Sequence, residues 1–390
     1  MPNVPRLNPF ARGDSPEPLY FDYAATTPVD ERVIARMVDC LGRSGHFGNP
    51  ASSSHRYGQR ARAEVENARG QVARLVGTDP TRLIWTSGAT ESNNLALKGV
   101  ALGQPQRRGH IISSQLEHKA VLDTLRQLEN EGFLVTYLAP DANGAITTEA
   151  VAGALRDDTF LVSLMLVNNE LGTVTDVAAI GERVRAHGAL FHVDAAQATG
   201  KVGIALDSLA VDLMSFSAHK TYGPKGIGAL YVGARAHGHV QAQIHGGGHE
   251  HGLRSGTLAT HQIVGMGEAF ALAAELVEVE TARITALRQR LLGALKGLPL
   301  TLNGSRTPQV PHTLSLTPYY DFALGDALAV SSTSACNSAS NAPSHVLTAL
   351  GLNAAEATRT VRLSLGRYST EQEVDQAARL IRQALLLPIP

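Results

Sequence analysis

The chain has 390 residues, 44% of them hydrophobic and 18% charged, and its formal net charge is -1. That balance belongs to a globular protein with one large core and room for a second, and it excludes disordered and fibrous classes. The near-neutral charge removes the electrostatic case for nucleic acid as the main partner, and no stretch approaches the roughly 20 apolar residues of a membrane span.

Two cysteines, Cys40 and Cys336, allow at most one disulfide, and no secretory signal precedes them, which points to a reducing cytoplasm. Residues 1–18 carry proline at positions 2, 5, 9, 16 and 18 and are expected as a flexible tail. A short strand over 19–21 follows, and Thr27 ahead of Pro28 marks the expected start of a first helix, with Cys40 on its apolar side. A turn-rich stretch over 45–50 leads through Ser52 to Ser54 into a long helix over about 57–76.

The buried strand read at 83–85 runs directly into TSGATESNNLALKG. Small residues between a strand and a helix leave backbone N–H groups free, so Ala89 and the Thr90 hydroxyl converge on a point that suits phosphate. The same residues also suit plain helix capping by Ser87 or Thr90. The pattern differs from the Rossmann and P-loop glycine spacings, which argues against a nucleotide.

From residue 110 to 195, apolar strands alternate with helices, the signature of βαβ units and a mostly parallel sheet. Ligands gather beyond the carboxyl ends of such strands. The polar residues there are Glu117 and His118, Asn168 to Glu170, Asp194 with Gln197, and Ser217, His219 and Lys220. Singly each is what any loop carries; their recurrence at one end gives them weight. Asp194 follows a buried run and is costly unless a cation meets it. Lys220 lies between that sheet and a turn punctuated by Gly223, Gly226 and Gly228, where an amine nucleophile can form a Schiff base. Pyridoxal 5'-phosphate asks for these groups: Lys220 for its aldehyde, Asp194 for its ring nitrogen, Thr90, Ser217 and His219 for its phosphate, and His118 for its ring face.

The loop HGGGHEHGLRSGTLATHQ is rich in histidine, but its spacing matches no standard zinc signature and no metal is expected. A long amphipathic stretch over 267–297 leads into a smaller domain, expected at 276–390 after a large domain at 19–275. There the polar tract SSTSACNSASNAPSH cannot pack a core, so 331–343 is expected as a mobile loop presenting Cys336 as an accessible thiol, ahead of a helix begun by Pro343 and Ser344. Arg362, in a strand near the end, suits bidentate capture of a carboxylate.

The motifs LYFDYAATTPVD, FGNPAS, TSGATES, EHKAVLDT, VNNELGT, HVDAAQ, SFSAHKTYGPKGIGALYV, GGGHEHGLRSGT, SSTSACNSAS and RLSLGR resemble, over nearly the whole chain, the cysteine desulfurases of the iron–sulfur-cluster class, fold-type I members of the class V aminotransferase group. The resemblance implies an α/β fold with a mostly parallel mixed sheet flanked by helices and a smaller α+β domain. It implies pyridoxal 5'-phosphate on Lys220, with His118 stacked on the ring and moving protons, Asp194 at the pyridine nitrogen and Gln197 at the ring hydroxyl. Ala89, Thr90, Ser217 and His219 would hold the phosphate, joined by Thr257 from a neighbouring subunit, hence a homodimer. Asn169 and Arg362 would bind the carboxylate of L-cysteine, and Cys336 would take its sulfur as a persulfide for an acceptor protein, an iron–sulfur scaffold or a thiolation protein. A selenocysteine lyase or another class V enzyme is the alternative. The stretch LSLTPYYDFALGDALAVSS is shorter than its family counterpart, and the chain stops at Pro390, where family members often carry a further tail used in scaffold docking.

Overall fold

The computed structural model describes residues 17–104, 108–304, 306–332 and 343–386. The expected tail, up to residue 16, and the segment 333–342 with Cys336 lie outside the described residues. In chain order the elements are β1 (Leu19–Tyr20), α1 (Glu31–Val38), α2 (Arg56–Val76), β2 (Leu83–Thr86), α3 (Ala89–Leu102), β3 (His110–Ser114), α4 (Lys119–Asn130), β4 (Leu134–Leu138), α5 (Thr148–Ala154), β5 (Thr159–Met165), α6 (Val177–His187), β6 (Leu190–Asp194), β7 (Leu213–Ser217) and β8 (Gly228–Val232). They continue with α7 (Thr260–Ala294), β9 (Leu300–Leu302), β10 (Thr313–Pro318), β11 (Leu328–Ala329), β12 (Ser331–Ser332), α8 (His345–Ala349), α9 (Ala354–Arg359), β13 (Val361–Ser364) and α10 (Glu371–Leu386).

The main sheet has seven strands in the order β2-β8-β7-β6-β5-β3-β4. Strands β4, β3, β5, β6 and β7 pair in parallel, and β8 runs antiparallel to both neighbours. The central strands read as unbroken apolar runs because both faces are covered. Their side chains alternate between two layers: Trp85, Met214 and Phe216 join one cluster, with α2, α6 and the first half of α7, while Ile84, Leu213 and Leu230 join the other, with α3 and α4. A second sheet, β12-β13-β10-β9, packs with α10 and the second half of α7 around Leu287, Leu314, Leu363 and Ile381. Phe21, just after β1, is buried in that cluster, and β1 pairs in parallel with β11.

Two helices start away from the positions read in sequence. Helix α1 begins at Glu31, not at Pro28: the Asp30 carboxylate accepts from Arg32 N and caps it. Thr27 is used elsewhere, its hydroxyl donating to the His219 carbonyl and accepting from Tyr222 N. Helix α7 begins at Thr260, seven residues before the amphipathic pattern, because Ile263 to Gly267 are buried in succession and interrupt the helical alternation of polar and apolar positions.

The edge strand β2 is protected by a buried ion pair. Arg69 on α2 donates to both Glu250 carboxylate oxygens at 2.9 Å and to the Leu83 carbonyl, and Glu250 also accepts from Trp85 N at 2.8 Å. The Arg69 guanidinium lies 5.2 Å from the centre of the Trp85 ring. Removing one partner strands the other in a desolvated place. E250A is therefore expected to lower stability by about 3–5 kcal/mol, read by equilibrium urea unfolding; a loss below about 1 kcal/mol would show that water replaces the carboxylate at no cost.

Candidate active site

The carboxyl ends of β5, β6 and β7, with the loops after β2 and β3, surround a cavity of about 410 Å³. Its lining brings together nine of the residues singled out in sequence: Ala89, Thr90, His118, Asn169, Asp194, Gln197, Ser217, His219 and Lys220. Asp194, Gln197 and Ser217 are buried, whereas Thr90 and His118 are exposed at the rim. Thr257 is exposed and Arg362 buried, and neither lines the cavity.

Asp194 ends β6. Its Oδ2 accepts from Asn93 Nδ2 at 2.8 Å and its Oδ1 from Ala196 N at 2.9 Å. Asn93, fully buried on α3, was missed in sequence; a polar side chain on the inward face of that helix was the available signal. With each oxygen accepting one such bond, the carboxylate keeps lone pairs for a group in the cavity.

Helix α3 presents its N-terminus to the same cavity. Gly88 is its N-cap and supplies no side-chain bond, so neither Ser87 nor Thr90 caps it and the first-turn N–H groups stay available for an anion. Gly88 sits at φ 150°, ψ 178°, a conformation essentially confined to glycine. Gly228 is equally constrained, since a Cβ there would stand 2.7 Å from the Gly88 Cα. The Glu91 side chain turns back to accept from Ser87 N at 2.7 Å and from Arg254 at 2.8 Å, fixing the loop.

His118 is the N-cap of α4, its Nδ1 accepting from Ala120 N at 3.1 Å. A neutral ring so held carries its proton on Nε2. Although His118 is exposed, the protein around it lowers its pKa, first by burial and then through the Lys220 cation, with Asp194 opposing. His219 is pushed down to about 4 by burial, then by Lys220 and Lys225, and its Nδ1 contacts the Thr26 hydroxyl at 3.1 Å. Both rings are therefore neutral at pH 7. Beyond Lys220, Tyr222 adopts φ 60°, an uncommon state for a bulky residue, held by the bond to Thr27 and by Arg367 stacked 4.1 Å over its ring.

Arg362 stands behind Asn169, donating Nη1 to its carbonyl at 2.9 Å and Nη2 to Asp22 and Ser331. Its Nε is buried with no partner among the described residues. Ser344 caps α8 and donates to Glu170, next to Asn169. Both stems of the 333–342 segment are thus tied to the turn carrying Asn169. Cys40 is buried, and burial pushes its thiol up to about 11, so it is inert. Among the described residues no group of three His, Cys, Asp or Glu side chains could hold a metal ion, and no helix is long and apolar enough to cross a membrane.

The fold is that of the fold-type I pyridoxal phosphate enzymes, and one cavity in it gathers an amine, a buried carboxylate and an uncapped helix N-terminus. Residues 19–377 match the family Aminotransferase class-V, and the chain belongs to that family, among its cysteine desulfurases. It is 58% identical over 376 residues to cysteine desulfurase IscS of Pseudomonas aeruginosa, covering 94% of this chain and 93% of that one, and equally so to IscS of Azotobacter vinelandii. Among solved structures it is similar to a NifS-like protein, with TM-score 0.87, 37% identity and coverage of 95% of this chain and 99% of the other. SspA in complex with cysteine is also similar, with TM-score 0.80, 40% identity and coverage of 90% and 99%.

Glu117 offers a test of the site's electrostatics. It precedes His118, is buried, accepts from Ser114 Oγ and Met165 N on Oε1, and has no partner for Oε2 among the described residues. Burial, aided by Asp194, raises its pKa from the ordinary 4.5 to about 8. A raised carboxyl pKa gives stability that is full below the unfolded value and lost as pH rises through the folded one. E117Q is thus expected to gain stability relative to the native chain as pH climbs from 4.5 to 8; a melting-temperature difference that is flat over that window would overturn the assignment.

Proposed function

We infer that this chain is a cysteine desulfurase that converts L-cysteine to L-alanine and passes the sulfur, as a persulfide on Cys336, to an acceptor serving iron–sulfur cluster assembly or thiolation. The observation that carries the reading is Lys220 in one cavity with buried Asp194 and the uncapped N-terminus of α3. These residues fit pyridoxal 5'-phosphate. Lys220 would hold its aldehyde carbon, Asp194 its ring nitrogen and Gln197 its ring hydroxyl. The phosphate would meet Ala89, Thr90, Ser217 and His219, with Thr257 of a second copy, which makes the enzyme a homodimer. When bound, the cofactor supplies an electron sink for charge developing at the substrate α carbon.

The chain's own groups do the rest. Asn169, in the cavity lining, would meet the substrate carboxylate, and Arg362, standing behind it, would reach the same carboxylate by giving up a bond to Asn169, Asp22 or Ser331. Neutral His118 stacks against the ring face and holds a proton at Nε2 that it can give up or take back. The Cys336 thiolate attacks the substrate sulfur; the new S–S bond forms as the C–S bond breaks, the carbon gains a proton and leaves as alanine, and the enzyme keeps Cys–S–SH. No outside oxidant is needed, because the substrate carbon is reduced as the two sulfurs join. We place this chemistry in the cytoplasm, where thiols stay reduced, and divide the chain at 275/276, with α7 crossing from one core to the other.

Protein reconstituted with pyridoxal phosphate is expected to show a visible absorption band that K220A abolishes together with activity. A colourless native chain that takes up no cofactor would end the reading. With L-cysteine and a thiol reductant, C336S is expected to lose at least roughly a hundredfold in sulfide release. Full activity in C336S would favour the selenocysteine lyase alternative, in which this cysteine matters less.

A further inference from the structure

Gln197 meets the cavity from a run of tight turns after β6, where Lys201 N bonds the Ala198 carbonyl and brings residues 197 and 201 to the same side. Both ends of the Gln197 carboxamide are engaged: Nε2 donates to the Ala24 carbonyl at 2.7 Å, and Oε1 accepts from Lys201 Nζ at 2.8 Å. A primary amide has two N–H donors, so with one on Ala24 the other is left for the cavity. An amide turned over would set oxygen against the Ala24 carbonyl and offer the cavity an acceptor.

Lys201 does not line the large cavity. It lines a second one of about 20 Å³ behind Lys220, together with His312, Tyr23, Tyr222 and the Arg367–Glu280 pair. That space admits one water and no substrate or cofactor, so Lys201 reaches a ligand only through another residue. Among the described residues no carboxylate pairs with it. Though the residue is only half-buried, desolvation of its ammonium, then the charges of Lys220 and Arg362, bring it down to about 7. Charged or neutral, its nitrogen still donates an N–H to Gln197.

We propose that Lys201 is a positioning residue that locks the Gln197 carboxamide with an N–H aimed into the cavity, toward the ring oxygen of the cofactor. The inference rests on the cofactor reading above. An N–H on that oxygen stabilises its anionic form; losing it leaves the oxygen more basic and makes protonated forms of the bound chromophore harder to titrate. Lys201 also adds positive charge near Lys220, which acts in the same direction.

The test is the pH midpoint of the visible band in the reconstituted enzyme, with fold monitored by circular dichroism. K201M and Q197L are each expected to raise the midpoint by roughly half a pH unit, the size of one modest hydrogen bond. The double variant is expected to move less than the sum of the two single shifts, since both remove the same contact and only the charge of Lys201 is left to add on the Q197L background. K201R keeps a donor and is expected to hold the native midpoint, which also covers the case of K201M failing to fold. An unchanged midpoint in folded K201M, a K201M shift that persists in full on the Q197L background, or a shift in K201R as large as that of Q197L would overturn the proposal. A native chain without a visible band would instead sink the cofactor reading; a native band that K201M leaves untouched sinks only this one.

Discussion

The buried carboxylate of Asp194 is the constraint on which the site depends. An ionised carboxyl group removed from water is costly unless polar partners surround it. Two partners are built from the fold, the Asn93 amide on α3 and the Ala196 N–H in the next turn. The second is local, but the first presupposes that α3 lies against the end of β6, and the parallel sheet puts it there. The same packing brings the uncapped end of α3 and the end of β7, with Lys220, to the same cavity. A negative floor, a helix N-terminus and an amine are consequences of one arrangement, and they are unlike in charge, so a zwitterionic ligand suits them together.

Around that floor the electrostatics separate the neutral groups from the charged ones. His118 and His219 are held neutral at pH 7 by desolvation and by the cationic lysines near them. Glu117 stays protonated to about 8, which spares the site a second negative charge beside Asp194. Among the described residues each of these groups pairs with the backbone or a hydroxyl and not with a counter-ion, so rotamer and tautomer are set before any ligand arrives.

Much of this was legible in the residues. Buried runs broken by helical periodicity gave the parallel sheet, and polar residues at strand ends gave seven of the nine that line the cavity, because a strand end is where a covered sheet must turn polar; Ala89 and Thr90 came from the small-residue turn between strand and helix. Positions that depend on competition between partners were not legible. Thr27 resembles a helix cap but is taken by His219 and Tyr222, leaving the cap of α1 to Asp30. Ser87 and Thr90 resemble caps for α3, yet Gly88 takes that place and leaves the N–H groups free. Asn93 carries no motif signal because its partner Asp194 is distant in sequence, and Lys201, though only four residues from Gln197, lies in a run of irregular turns where no regular spacing pairs the two side chains.

The sequence by itself determined the chemical inventory: an amine after one strand, a carboxylate after another, a glycine-bounded turn between strand and helix, and the family to which they belong. These are local, since residue type and spacing set where strands end and where backbone donors are left over. Only the tertiary structure decided which groups face the cavity and in what state. It turned Arg362 toward Asn169, Asp22 and Ser331, tied both stems of the cysteine segment to the Asn169 turn, and oriented the Gln197 amide through Lys201. Hydrogen-bond partners and desolvation are properties of packing, and packing joins residues that the sequence keeps up to 343 positions apart.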